Sequence, residues 1–170
     1  MVYKGTPKGG ESMNNEYYTI NTDTLAIIPI NKRKTKIYEN DNVFVINCNA
    51  KKIIADNCEY FGSSYEGRKK GTMELIGVTH KAPIIIEDSN NLIFFPTSSP
   101  RLNDCGWISL NNIDSYQPYD GKDSLIMFQN NLKLQVTVSN KVIDNQVLRA
   151  TRLESVVRQR KNKNFNQRNY

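Results

Sequence analysis

Residues 60–83 read YFGSSYEGRKKGTMELIGVTHKAP, and the fold turns on how that stretch is taken. Gly62, Gly67 and Gly71 surround two serines, Tyr65 and the basic triplet Arg68-Lys69-Lys70. A short apolar run follows, then His80, the chain's only histidine, beside Lys81. Glycine frees the backbone for positive φ and lets it approach a ligand closely. The pattern predicts a polar loop over 63–71 that presents cations, then a strand over Thr72–Val78 with Gly77 at a bulge. Cations held on such a loop make an anion site, and phosphate is the natural anion. The plainer alternative is a hairpin loop whose charges only face water.

Working upstream, Asn49 can cap a short helix in which Ile53, Ile54, Asn57 and Cys58 fall at helical spacing, ending at Phe61-Gly62. Before it, Tyr17–Asn21, Thr24–Ile30, Thr35–Glu39 and Val43–Asn47 read as strands, with a basic turn Asn31-Lys32-Arg33-Lys34 between the second and third. Pro29 puts the second of these at an edge or at its end. Downstream, Pro83–Glu87 and Leu92–Phe95 form a hairpin, residues 97–104 a loop, and Cys105–Ser109 a buried strand with Trp107 in the core. Ile113–Gln117, Leu125–Gln129 and Lys133–Val138 complete a strand-rich middle. The period then switches. From a cap at Ser139 or Asn140, Val142, Ile143, Val147, Ala150, Leu153, Val156 and Val157 recur every three or four residues, with Arg149, Arg152, Arg158 and Arg160 on the other faces. The expected fold is therefore α+β and mainly β. It is an antiparallel β-barrel or sandwich with one short internal helix and a longer C-terminal amphipathic helix packed on it. Residues 1–15 read as a flexible lead, 16–160 as one β-rich domain and 161–170 as a basic disordered tail.

The net charge is +6, but residues 1–140 hold fifteen basic and fifteen acidic side chains, so the excess lies wholly in the last thirty. There, eight basic residues stand against Asp144 and Glu154. A neutral body with a basic end suits a polyanion, nucleic acid before membrane. No apolar run is long enough for a transmembrane helix, and the Gly-, Lys- and Asn-rich N-terminus lacks the apolar core of a secretory signal. A cytoplasmic location follows, and with it three reduced thiols at Cys48, Cys58 and Cys105. A zinc site from these and His80 lacks the short Cys-Cys pair that structural zinc prefers, so neither metal nor cofactor is expected. Gly-Ser-Ser-Tyr-Glu-Gly is not a nucleophile elbow, and no HExxH, Walker A or dinucleotide fingerprint occurs. The enzymatic alternative is a small β-barrel endoribonuclease with His80 as base and cationic phosphate clamps.

Nucleic-acid binding uses more of the chain. Arg68, Lys69, Lys70 and Lys81 flank one Gly-rich unit with Ser64, Tyr65 and Gly67, while Arg149 and Arg152 line the late helix. Cations on two elements hold phosphates at two places and fix register, and an arginine on a slim loop fits a narrow A·T-rich minor groove. The segments YFGSSYEGRKKGT, THKAPIII, FFPTSSPR, CGWIS and NQVLRATRL, spread from about Tyr17 to about Leu153, resemble the ComK family of competence transcription factors. That resemblance implies a cytoplasmic DNA-binding activator of late DNA-uptake genes. It also implies paired A·T-rich boxes bound by a dimer or tetramer, mainly through the minor groove, and control by an adaptor to a Clp protease. The family pattern continues into an acidic and apolar segment implicated in adaptor binding and multimer formation; here a basic, Asn-rich stretch stands instead. The individual DNA contacts are assigned on physical grounds and are not carried over from the family.

Overall fold

The structure, a computed structural model, describes residues 16–167. The expected lead over 1–15 and the last three residues of the expected tail lie outside the described residues. In chain order come β1 (Thr24–Pro29), β2 (Thr35–Glu39), β3 (Val43–Ile46), α1 (Ala50–Tyr60) and α2 (Tyr65–Ile76). Then follow β4 (Ile84–Glu87), β5 (Leu92–Pro96), β6 (Trp107–Ser109), β7 (Ile113–Tyr119), β8 (Asp123–Phe128), β9 (Lys133–Val136) and α3 (Asn140–Gln167). The strands form a six-stranded sheet ordered β3-β2-β1-β6-β5-β4 and a three-stranded sheet ordered β7-β8-β9, with every pairing antiparallel. The α+β character, antiparallel pairing and C-terminal helix agree with the sequence reading. The barrel does not, because the large sheet ends in two open edges, β3 and β4.

Alternation along the large sheet, broken only by irregularities between Thr24 and Ala26 and between Ile85 and Glu87, explains the layering. Ile27, Ile37, Ile84, Phe94 and Trp107 point to one face, where Ile53, Ile54 and Cys58 of α1 cover them. Their neighbours Ala26, Tyr38, Ile93, Phe95 and Ile108 point to the other face. That second face meets Ile126, Phe128, Leu134 and Val136 of the small sheet together with Ile143, Ala150 and Leu153 of α3. A period of two that is apolar on both phases demands cover on both faces. Here one cover is helical and the other mixed.

The strand expected over Tyr17–Asn21 is absent, because its backbone groups are taken by a side chain. Asn57, fully buried in α1, accepts from the Ile20 N–H at 2.8 Å and donates to the Tyr18 carbonyl at 2.8 Å. The Tyr18 hydroxyl then meets Thr24 Oγ1 at 2.5 Å and Glu39 Oε1 at 2.7 Å, and burial is the main reason its pKa lies far above the usual tyrosine value. Asn57→Ala leaves two backbone groups without partners in the interior, at about 1–3 kcal/mol each. Urea unfolding is expected to show about 2–4 kcal/mol of lost stability with an unchanged denaturant slope. A loss below about 0.5 kcal/mol would mean that the segment is held some other way.

Helix α3 also outruns its sequence reading, continuing to Gln167 instead of giving way to a disordered tail after Arg160. A contact absent from the periodicity accompanies the extension: Lys161 Nζ pairs with Asp88 Oδ2 at 2.8 Å, tying the late helix to the β4–β5 turn. That turn is itself pinned by Glu87. Its carboxylate accepts from the Ser89 hydroxyl and from the backbone N–H groups of Ser89 and Asn90, which hold its pKa down to about 2.

Candidate nucleic-acid interface

The central correction concerns residues 60–83. The basic triplet stands on a helix, α2, and neither a loop over 63–71 nor a strand over 72–78 exists. Local chemistry accounts for it. Helix α1 ends in a paired C-terminal bond pattern, with Gly62 N–H to Glu59 O at 2.9 Å, Ser63 N–H to Cys58 O at 2.9 Å, and Gly62 at φ 82°. One residue later Ser64 caps α2 by accepting from the Gly67 N–H at 3.0 Å. Tyr65, Thr72 and Ile76 then recur on one buried stripe. Gly77 at φ 71° closes the helix through its N–H to Met73 O at 2.9 Å, so it is a helix cap and not a bulge. The result is a short helix-turn-helix unit in which two interior glycines are outvoted by packing.

Helical geometry separates the triplet. Consecutive residues lie about 100° apart around the axis, so three cations in a row diverge. Lys70 points to solvent. Lys69 is half-buried and faces Glu66 at 3.7 Å. Arg68 is half-buried on the opposite flank, its Nε enclosed without a hydrogen-bond partner and its charge opposing the raised pKa of Cys58. Between Arg68 and Lys70, Gly67 and Gly71 lie one turn apart and below the Ser64 cap. A Cβ added at Gly71 would meet no atom within 4 Å. The outer face of α2 is thus a side-chain-free strip flanked by two cations, with Glu74 only at its C-terminal end.

The remaining expected residues divide by role. Tyr65 is 9 % exposed and meets Trp107 edge-on, ring centroids 6.2 Å apart at 90°, with burial raising its pKa to about 12. It is a packing residue, and what it offers is placement of the α2 N-terminus. Lys81 sits at φ 51° in the connection to β4. The buried Gln146 of α3 donates to the Lys81 carbonyl at 3.1 Å and to the Pro96 carbonyl at 2.7 Å. Arg149 Nη1 donates to the His80 carbonyl at 3.0 Å. The connection is therefore stitched to α3, against which α2 also packs. Arg149 spends part of its guanidinium on that stitch, while Arg152 is exposed. Gln146 is the residue that sequence reasoning missed. Its signal is a polar side chain three residues after Ile143 and four before Ala150, inside an apolar stripe.

The thiols are all buried, and burial pushes each pKa up, that of Cys58 to about 11. Such thiols are poor nucleophiles. Among the described residues no group of three or more His, Cys, Asp or Glu side chains is placed to hold a metal ion. No described helix is long and apolar enough to cross a membrane.

With this geometry in place, comparison with known proteins is informative. The family model described as "ComK protein" matches residues 15–162. The chain is 36% identical over 143 residues to the protein named "Competence transcription factor" of Bacillus subtilis (strain 168), covering 82% of this chain and 74% of that protein. No solved structure matches.

Proposed function

The chain belongs to the ComK family, and from that membership and the cation-flanked glycine strip of α2 we propose a transcription activator that binds A·T-rich duplex DNA in sequence-specific fashion and switches on DNA-uptake genes of late competence. The strip is the observation that carries the reading. Ser64, Gly67 and Gly71 let a sugar-phosphate backbone approach the helix axis, and Arg68 and Lys70 bracket it.

A helix about 10–12 Å across does not enter a minor groove about 6 Å wide. The minor-groove mode therefore takes a form different from a slim loop. Helix α2 rides on the phosphates at the groove rim, and long side chains reach inward from it. Lys69 adds charge midway along α2 and Lys81 beyond its C-terminal cap, and Arg149 and Arg152 extend the surface along α3. Paired boxes call for a homodimer or tetramer on DNA. A cytoplasmic protein that acts without catalysis, cofactor or membrane contact, and that an adaptor delivers to a Clp protease, completes the proposal. Family membership favours this reading over the ribonuclease alternative, and His80, exposed beside α3, accepts from Arg149 through its backbone carbonyl.

The test is a gel shift on A·T-rich against G·C-rich duplexes, with and without a minor-groove-binding competitor. The A·T-rich shift is expected to dominate by tenfold or more, on the order of one to two base-pair mismatches, and to be displaced by the competitor. Equal binding to both duplexes, or binding indifferent to the competitor, counts against the reading.

A further inference from the structure

The sequence places the whole charge excess in the last thirty residues, yet the fold gathers a second group of cations from the balanced body. Lys32, Arg33 and Lys34 occupy the β1–β2 turn and are all exposed. The turn is rigid: Asn31 Oδ1 accepts from the Arg33 N–H at 2.8 Å and the Lys34 N–H at 2.9 Å, and Ile30 N–H bonds to Lys34 O at 2.9 Å. None of these bonds uses a basic side chain.

One side chain joins this turn to α1. Asn49 accepts from the Lys51 N–H at 2.9 Å as helix cap, and its Nδ2 donates to the Lys32 carbonyl at 3.3 Å. The same contact brings Lys51, exposed in the first turn of α1, alongside the basic turn. Lys51 Nζ in turn lies 5.7 Å from the ring centroid of Tyr65, the first residue of α2. Lys51 thus stands between the β1–β2 turn, reached through the Asn49 bridge, and the first residue of α2. Lys52 is set apart, its charge held by Asp56 at 2.5 Å.

This arrangement is unfavourable to the fold on its own. The first turn of α1 contains no acidic residue and two lysines, although the positive end of a helix favours anions. An external polyanion would relieve the repulsion.

We propose that Lys32, Arg33, Lys34 and Lys51 form a second phosphate-binding surface that seats the duplex backbone flanking the segment held by α2. The proposal rests on the DNA-binding reading above and lengthens its footprint. These contacts are to phosphate and carry no sequence information.

The experiment compares the full chain with the triple variant Lys32→Ala, Arg33→Ala, Lys34→Ala and with Lys51→Gln, on a long A·T-rich duplex and on one trimmed to the specific box. Circular dichroism and thermal melts check that each variant is folded. On the long duplex, the slope of log affinity against log salt is expected to fall by about three for the triple variant and about one for Lys51→Gln. The ratio of A·T-rich to G·C-rich binding should be unchanged, and on the trimmed duplex the variants should match the parent. A folded triple variant with the parent's slope and affinity on the long duplex overturns the second surface while leaving the α2 reading intact. A parent protein that shifts no duplex overturns both. Loss of binding to phosphatidylglycerol vesicles with unchanged DNA binding also overturns the proposal, assigning the patch to a membrane surface instead.

Discussion

Replacing Gly71 by Ala is expected to make the protein more stable and a poorer DNA binder. The two effects have separate causes. In a helix interior, glycine costs about 0.5–1 kcal/mol relative to alanine through backbone entropy. The new Cβ at Gly71 meets nothing within 4 Å, so no clash offsets that gain. A thermal melt should therefore rise by a few degrees, about 1–4 °C for a domain of this size. Binding moves the other way if the backbone of DNA lies along the strip, because a methyl group then stands where close contact is made. Overpacked contacts cost about 1–3 kcal/mol, which is about a five- to 150-fold loss of affinity. Stability and binding normally fall together in a damaged protein, so opposite signs identify a contact surface. Gly67→Ala is the less informative neighbour. Its Cβ would lie 3.0 Å from Ser64 Oγ, the atom that caps the helix, so any gain in helix propensity is offset by disturbance of the cap. Gly71→Ala with higher stability and the parent's affinity would remove α2's outer face from the interface.

The same glycines explain where the sequence was legible and where it was not. The Asn49 cap, the stop at Phe61-Gly62, the β2–β3 and β4–β5 hairpins and the amphipathic C-terminal helix rest on local chemistry, and each forms as expected. Residues 63–78 failed because two local signals conflict there. Gly67 and Gly71 argue against a helix, while the Ser64 cap and the buried recurrence of Tyr65, Thr72 and Ile76 argue for one. Tertiary packing on Trp107 and the β4 side of the sheet decides the matter, and a single sequence does not display that packing. The difference between loop and helix is one of direction. A loop would have aimed Arg68, Lys69 and Lys70 together, whereas a helix sends them three ways and leaves the glycines facing out. Charge placement failed for a related reason. Totals along the chain find the basic end, but only folding brings the Lys32–Lys34 turn beside Lys51.

Trp107→Ala is expected to carry the largest stability loss, about 3–5 kcal/mol. The indole is fully buried on β6, a central strand between β1 and β5, and packs in the cluster that includes Ile53 and Ile54 of α1. Against a typical domain stability of about 5–15 kcal/mol, that loss leaves a folded but marginal protein at low temperature. Trp107→Phe keeps an aromatic ring and should lose markedly less. Because Trp107 is the chain's one tryptophan, unfolding of the parent is followed by its fluorescence, and the variants by far-ultraviolet circular dichroism. The functional consequence runs through Tyr65, whose ring meets the indole edge-on and whose backbone opens α2. Without that contact, worth about 0.5–1.5 kcal/mol beyond area burial, the first turn of α2 loses its lateral stop. The Ser64 cap and the glycine strip then no longer hold one orientation toward DNA. DNA affinity per folded molecule, measured well below the melting transition, is expected to fall in Trp107→Ala and to recover in Trp107→Phe. Equal affinity per folded molecule in all three proteins would show that the cap at Ser64 orients the strip without help from the sheet, and the aromatic pair would be core packing alone.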